Sequence, residues 1–227
     1  MKKYLHFYAD DFGYKSEIDN EIIKLYSGEK IASFSVLPDF ISAIGDKKTK
    51  DFIKNKKVAI HINLIEGKNY NSLAFFVIKL FLGQINFEAL KIDMQRQIDV
   101  IKKFKPRIIE INSHQHVHAL YPLSKIFISL ARINKIPKVR SYKNVRAQTL
   151  SAKLCLFFLK IASLLSYFRY NGVFGLPETW KLNSNNQYYM SWEDGNFSIE
   201  KLPNIETDII FHPGSEFDKN NSFKKYL

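Results

Sequence analysis

The stretch Arg107-Ile-Ile-Glu-Ile-Asn-Ser-His114-Gln-His116-Val-His118 joins an apolar run to three histidines at every second position. The apolar run is typical of a buried strand, and residues two apart in a strand point to the same face. We therefore expect the three histidines to begin on one side, at or just past the carboxyl end of the strand. Because imidazole is the commonest metal ligand among side chains, the cluster indicates a metal site. A surface loop rich in histidine is the alternative interpretation.

The composition of the chain is that of an ordinary globular protein. With 227 residues, 46% hydrophobic and 25% charged, it is predicted to form one domain over residues 1–227 with a full core. The single cysteine, Cys155, excludes an internal disulfide framework and fits a reducing compartment. The first residues show no small-residue cleavage site, so we expect no signal peptide and a cytoplasmic location.

The charge balance is strongly basic, with a formal net charge of +12. This favours an acidic partner, which could be nucleic acid, an anionic membrane surface or an acidic substrate. The lysines are scattered along the chain, so a solvated basic surface is the alternative. Since no nucleic-acid recognition motif is present, nucleic-acid binding is the weakest of these options and we predict no such partner.

Strand patterns alternate with helix patterns along the sequence. Strands are predicted at residues 4–8, 31–37, 58–64, 107–112, 138–142 and 207–211, and a long loop region is predicted at residues 170–203. Helices are predicted from residue 16 to about 28 and at residues 40–56, 73–82, 87–104 and 123–134. This alternation implies parallel pairing and hence an α/β sheet or barrel.

The most apolar long stretch is Leu150–Phe168, which is interrupted by Lys153 and Lys160. Its longest uninterrupted run falls short of the ~20 residues that a membrane span needs. We predict a helix packed on the core. The alternative is a helix lying on a membrane surface with its lysines at the headgroups, which keeps peripheral membrane association open.

Polar residues occur at the ends of several predicted strands, where an active site of a parallel barrel gathers. Asp10 and Asp11 follow the first strand, His61 lies in the third, and His212 follows the last. One carboxylate and two imidazoles can hold a metal and leave positions open for water and substrate. Neighbouring aspartates point opposite ways on an extended chain, so one can bind metal while the other accepts a proton. Each residue also has a structural alternative. Asp10 and Asp11 could form a turn or helix cap, His61 could be a core histidine, and His212 could belong to a tight turn.

Four motifs resemble those of the YdjC/ChbG-like carbohydrate deacetylases in order and spacing, over nearly the whole chain. They are Ala9-Asp-Asp-Phe-Gly13, Ile60-His-Ile-Asn-Leu64, Ser113-His-Gln-His-Val-His118 and His212-Pro-Gly214. The resemblance implies a deacetylase-type (β/α) barrel that is TIM-barrel-like. It also implies a hydrolase that uses a divalent metal to remove N-acetyl groups from an amino sugar or oligosaccharide, free or carrier-linked.

The same resemblance implies a role for each motif residue. Asp11, His61 and His114 would hold the metal ion. Asp10 would be the general base and His212 the acid. Two imidazoles favour Zn²⁺, whereas the resemblance also permits Mg²⁺.

In the light of the family resemblance, we predict that three further residues bind substrate: His116, His118 and Arg140. The two histidines would lie near the metal or face the substrate. An N-acetylated carbohydrate is the expected partner, and a homodimer is left open.

The chain departs from the family pattern at several places. Asn112 stands where the family often has aspartate, and an asparagine can accept a hydrogen bond but supplies no charge to orient an imidazole. The sequence ends at Leu227, earlier than is usual in the family, so we expect either a fragment or a shortened member whose barrel is incomplete at its C-terminus. The alternatives are another metal-dependent hydrolase, such as an amidase or phosphoesterase, and a glycan-binding protein without turnover.

Overall fold

The structure of the chain, a computed structural model, describes residues 5–43, 47–68, 70, 72–140, 150–174, 187–190 and 207–213. The strands are β1 (Leu5–Phe12), β2 (Ser33–Val36), β3 (Lys57–Ile62), β4 (Arg107–Ser113), β5 (Gln187–Met190) and β6 (Thr207–Phe211). The helices are α1 (Ser16–Ser27), α2 (Pro38–Ala43), α3 (Lys47–Phe52), α4 (Leu73–Leu82), α5 (Phe87–Lys103), α6 (Leu123–Ile133) and α7 (Leu150–Phe174). A short 3₁₀ segment, His114–Ala119, follows β4.

The strands form one six-stranded sheet in the order β4-β3-β2-β1-β6-β5, and every pairing is parallel. Parallel neighbours need crossover connections, which most of the helices supply here. All strands therefore end at the same edge of the sheet, and the polar motifs of the sequence lie at this edge. Beyond β4, Val139 makes a single parallel bridge to Ile111.

The predicted α/β class is confirmed, whereas the predicted barrel is not. Within the part of the chain that the structure describes, the sheet is open, with β5 at one edge and the Val139 bridge beyond β4 at the other. Barrel closure and the predicted incomplete C-terminus fall on residues outside that part, and they stay predictions.

Several boundaries differ from the sequence prediction: the first strand continues to Phe12, and two other segments differ in kind. The helix predicted at residues 40–56 is two helices, α2 and α3, and the residues between them are not described. The loop predicted at residues 170–203 is wrong at both places where the structure describes it, because α7 continues to Phe174 and β5 lies within the range. The four residues of β5 carry too short a pattern to be recognised alone, and their pairing with β6 makes them a strand.

The helix predicted at Leu150–Phe168 is confirmed and extends further. Its inner face reaches the core through Tyr170, whose hydroxyl donates a hydrogen bond to the carbonyl oxygen of Leu80 on α4. Its outer face leaves large apolar side chains exposed. In the described part of the chain, no helix combines the length and the apolar character that crossing a membrane requires.

Aromatic packing below the polar edge supports the ends of β1 and β2. The Phe12 and Phe34 ring centroids lie 4.9 Å apart, and Phe34 stacks on Phe52 of α3 at 5.6 Å. Phe12 and Phe34 are among the largest fully buried side chains. Aromatic pairs of this kind add about 0.5–1.5 kcal/mol each to burial, so the strand ends that carry the polar residues rest on a rigid base.

Candidate metal centre

The end of β1 directs its two aspartates differently. The register with β2 shifts between Ala9 and Phe12, and Asp11 has a left-handed φ of 69°. Gly13 follows at φ 98°, and its N–H donates to the Asp19 carboxylate at 2.6 Å. This left-handed turn brings Asp11 to the edge of the sheet, while Asp10 is fully buried.

Asp11, His61 and His114 come together at this edge from three different elements. Asp11 Oδ1 lies 3.3 Å from His61 Nε2 and 3.1 Å from His114 Nδ1. One ligand atom from each residue can be chosen so that all three lie within 4.8 Å of one another. Burial alone would raise the pKa of Asp11, but hydrogen bonds with the two imidazoles hold it well below its ordinary value.

The donor set fits a divalent metal. Two ligand atoms about 2.1 Å from an ion lie about 3.0 Å apart at a right angle and about 3.4 Å apart at a tetrahedral angle. The carboxylate-to-imidazole distances of 3.1 and 3.3 Å fall in that interval. Three protein ligands leave further positions for water and substrate, as in catalytic sites.

Asn112 orients His61 for this role. The Asn112 Nδ2 group donates to Glu110 Oε1 at 3.0 Å and to Ser35 Oγ at 3.1 Å. Since a carboxylate only accepts, these contacts point Asn112 Oδ1 at His61 Nδ1, 2.5 Å away. Nδ1 must then carry the hydrogen, which leaves Nε2, the nitrogen that faces Asp11, as the atom that would bind a metal ion in place of a hydrogen. An asparagine therefore performs the orienting function without a charge.

Glu66 is a site residue that the sequence reasoning missed. Its Oε1 lies 3.1 Å from His114 Nε2, on the side of the ring opposite Asp11. Burial lowers the pKa of His114, but hydrogen bonds to Asp11 and Glu66 outweigh it and raise the pKa to about 10. A carboxylate five residues after His61, just past the end of a strand, is the signal that could have identified it.

Hydrogen bonds of Asn63 and Gln97 fix the loop that carries Glu66. The Asn63 Oδ1 atom accepts from the backbone N–H of Ile65 at 3.1 Å and of Glu66 at 3.0 Å. Gln97 of α5 clamps the Asn63 backbone, accepting from its N–H at 2.9 Å and donating to its carbonyl at 2.7 Å. The loop conformation thus depends on a helix distant in sequence.

Comparison with known proteins shows which family the chain belongs to. The family model for YdjC-like proteins matches residues 4–226. The chain belongs to the YdjC-like family. A protein named carbohydrate deacetylase from Oceanobacillus iheyensis is 27% identical over 143 residues, which cover 57% of this chain and 61% of that protein. The chain therefore matches less than two thirds of the length of this relative.

A solved structure resembles the YdjC-like chain in fold. It is the crystal structure of a protein from Enterococcus faecalis V583, provisionally described as a cellobiose-phosphate cleavage protein. The TM-score is 0.56 at 16% sequence identity, and the match covers 94% of this chain and 82% of the other. At this identity the likeness concerns the fold alone.

In this YdjC-like chain, Asp10 belongs to a buried ion-pair network with Arg140. The Arg140 guanidinium contacts Asp10 Oδ2 at 2.5 Å and Oδ1 at 3.1 Å, and its Nε donates to Glu110 at 2.8 Å. Ser35 Oγ donates to Asp10 Oδ1 at 2.5 Å. Burial alone would raise the pKa of Asp10, but the Arg140 guanidinium keeps it far below its ordinary value. Arg140 is itself buried, and its predicted role in substrate binding stays a prediction.

The three histidines after β4 do not share one side, and that expectation is wrong. The strand ends at Ser113, and left-handed φ angles at Gln115 (53°) and His116 (58°) curl the chain into a tight turn. The period of two therefore ends with the strand, and only His114 reaches the ligand group in the described residues.

His116 and His118 lie buried beside the centre. His118 Nδ1 accepts from the Ser113 backbone N–H at 3.0 Å, so this nitrogen carries no hydrogen. Burial lowers the pKa of both rings well below the ordinary value, which keeps them neutral at physiological pH. Their predicted contact with substrate stays a prediction.

His212 follows β6 on the far side of β1 from the ligand group. Its Nε2 lies 3.9 Å from Asp11 Oδ2, and the side chain is partly exposed. In the described residues, His212 is thus a third imidazole near the Asp11 carboxylate, after His61 and His114. Its neighbour in the motif, Gly214, is outside the described residues.

Proposed function

We propose that this YdjC-like chain is a metal-dependent carbohydrate N-deacetylase acting on an N-acetylated amino sugar or oligosaccharide. The observation that carries the proposal is the convergence of Asp11, His61 and His114 at coordination distances on the carboxyl edge of the sheet. Family membership and the carbohydrate deacetylase among the relatives support the substrate class. The donor set of two imidazoles and one carboxylate favours Zn²⁺, and Mg²⁺ is the alternative.

A divalent metal in this centre would supply a water of lowered pKa and would polarise the amide carbonyl of the substrate. The residues around it have separate tasks. Asp11 and His114 would bind the ion as ligands, and His61 would bind it through Nε2, because its Nδ1 faces Asn112 Oδ1. Glu66, which accepts from His114 Nε2, orients that ring and raises its basicity.

Asp10 and His212 are the proposed proton-transfer residues. Asp10 is held as a carboxylate by Arg140 and can accept the proton that the attacking water loses. Attack forms a carbon–oxygen bond at the acetyl carbonyl, and collapse breaks the carbon–nitrogen bond. The departing amine then needs a proton, which His212 can donate from the opposite side of Asp11. The products are acetate and a free amino sugar.

The test combines metal analysis of the purified protein with acetate release from a panel of N-acetylated sugars and oligosaccharides. Asp10→Asn should lower turnover by roughly 10²–10⁴-fold and keep the metal, because general base catalysis contributes about that much. His212→Ala should also keep the metal and lose turnover, whereas His61→Ala should lose both.

Other results would assign a different function. Metal binding without acetate release from any tested glycan would contradict the deacetylase and favour a glycan-binding protein. Hydrolysis of phosphoesters or non-sugar amides, lost in Asp10→Asn, would favour another metal-dependent hydrolase. Ser27→Ala is the control variant, since it changes an exposed helix residue away from the centre.

A further inference from the structure

Helix α7 carries a continuous apolar stripe on its outer face. At about 100° per residue, eight of its large apolar side chains fall within a sector about 120° wide. Each exposes between 38% and 74% of its surface. These residues, the outer stripe, are Leu150, Leu154, Phe157, Phe158, Ile161, Leu164, Leu165 and Phe168.

The opposite face of α7 is already occupied by the protein. Ser163 Oγ accepts a hydrogen bond from the Tyr121 backbone N–H at 3.2 Å, and the Tyr121 and Tyr167 ring centroids lie 5.4 Å apart. Tyr170 and Leu159 pack towards the core. The helix therefore has its protein contact on one side, and the outer stripe is a second apolar surface. Soluble monomers rarely expose apolar patches above a few hundred Å² unless the patch binds something.

The charged side chains of α7 that border the outer stripe are all positive. Lys153 and Lys160 fall beside one margin of the stripe and Arg169 beside the other, and all three are exposed. Neither α7 nor its neighbour α4 contains an aspartate or glutamate, and α4 adds Lys79. An apolar stripe with a cationic border is complementary to an anionic bilayer, where the apolar side chains enter the headgroup boundary and the lysines meet phosphates.

A second copy of the chain fits this surface less well. A twofold interface over the outer stripe would bring Lys153, Lys160 and Arg169 of both copies together, with no carboxylate on either helix to pair them. Like charges at such an interface oppose association. An anionic lipid surface removes that repulsion and uses the same cations favourably.

We infer that the outer stripe of α7 and its cationic border form a docking surface for an anionic membrane, on which the helix lies parallel to the bilayer. This goes beyond the proposed activity and does not depend on it. The face of α7 opposite the outer stripe packs on Tyr121, two residues after the His114–Ala119 segment, so the proposed docking leaves that contact in place.

Vesicle flotation with the full chain tests this inference. Vesicles of phosphatidylcholine are compared with vesicles that also contain phosphatidylglycerol, and we expect binding to the anionic vesicles only. Lys153→Glu combined with Lys160→Glu should weaken that binding at least about tenfold, because each lysine near an anionic surface contributes measurably. Phe158→Ser combined with Leu164→Ser should weaken it similarly while binding to metal stays unchanged.

Matched controls separate the stripe from general basicity. Lys24→Glu with Lys103→Glu makes the same change in net charge on α1 and α5, and Ile92→Ser with Ile133→Ser removes exposed apolar side chains from α5 and α6. Both controls should bind anionic vesicles as the unchanged chain does. Equal binding to neutral and anionic vesicles, or equal losses in the control and stripe variants, would overturn the inference. So would a dimer in solution that dissociates in the Phe158→Ser/Leu164→Ser variant without any vesicle binding.

Discussion

Asn112 shows how a neutral side chain can orient a proposed metal ligand. Its amide contacts Glu110 and Ser35 through Nδ2 and His61 through Oδ1. Only this orientation of the amide is compatible with the Glu110 carboxylate, because the flipped amide would turn its oxygen towards it. An aspartate at this position would face the Glu110 carboxylate at about the present 3.0 Å, and like charges at that distance repel. The asparagine avoids this repulsion and donates a hydrogen bond to Glu110 instead.

We predict that Asn112→Ala weakens metal binding by about 10–100-fold, the usual effect of removing a partner that orients a histidine ligand. The affinity for Zn²⁺ is measured by competition with a chelator, and circular dichroism checks the fold. Asn134→Ala is the control, because Asn134 also makes partly buried side-chain hydrogen bonds but lies at the end of α6. Unchanged affinity in a folded Asn112→Ala protein would contradict the assigned role.

As a proposed metal ligand with a raised pKa, His114 would couple metal binding to pH. Its pKa in the folded, metal-free chain is raised from 6.5 to about 10. The protonated ring therefore stabilises the fold fully below about pH 6.5, and this contribution is lost as the pH rises towards 10. A metal must displace that proton through the same interval.

We predict that metal affinity rises with pH between 7 and 9, by up to about tenfold per unit, with release of about one proton. Calorimetry in two buffers of different ionisation enthalpy measures the released proton. Glu66→Gln removes one of the two carboxylates that raise the pKa and should flatten the dependence, whereas Glu88→Gln on the exposed start of α5 should not. An affinity independent of pH would show that His114 is not a ligand.

At the scale of elements, α5 does more than cover the sheet. It presents Gln97, which is fully buried and forms a two-bond clamp on the backbone of Asn63, just after β3. Through Asn63 the clamp reaches the backbone of Glu66. A helix distant in sequence thus determines where a carboxylate meets His114.

We predict that Gln97→Leu lowers the free energy of unfolding by about 1–3 kcal/mol, because it leaves the buried N–H and carbonyl of Asn63 unpaired. Metal affinity should fall as well, since Glu66 loses its fixed position. Urea denaturation and metal titration measure the two effects. Gln95→Leu on the same helix is the matched control, because Gln95 contacts Asp99 and Asn134 and not the loop. An equal metal affinity in both variants would contradict the mechanism.

At the scale of the whole molecule, the proposed metal joins parts of the chain that are distant in sequence. Asp11 belongs to β1, His61 to β3 and His114 to the segment after β4, with β2 between β1 and β3 in the sheet. A bound ion therefore connects the strands of one half of the sheet at their carboxyl ends. Binding to the folded state alone adds stability by mass action.

We predict that Zn²⁺ at about 100 times its dissociation constant stabilises the fold by about 2.7 kcal/mol, which corresponds to a rise in Tm of roughly 5–10 °C. Differential scanning calorimetry measures the shift, and a chelator should reverse it. His61→Ala should abolish the shift, whereas His212→Ala should keep it because His212 is not a proposed ligand. A shift of equal size in His61→Ala would place the metal elsewhere.

The sequence by itself determined the α/β class, the strands that carry the motifs and the family. These follow from local patterns: apolar runs mark buried strands, helical spacing marks α5 and α6, and polar residues occur where the strands end. The strand ends directed attention to the polar motifs, and the family resemblance then implied that Asp11, His61 and His114 are the residues that hold the metal.

Only the tertiary structure decided which partners complete the centre. The turn after β4 separates His116 and His118 from His114 through left-handed backbone angles, which an alternating pattern does not encode. Glu66 reaches His114 because a clamp on another element positions its loop. Local patterns determine where strands run and end, whereas the partner of a buried polar group depends on which distant elements pack together.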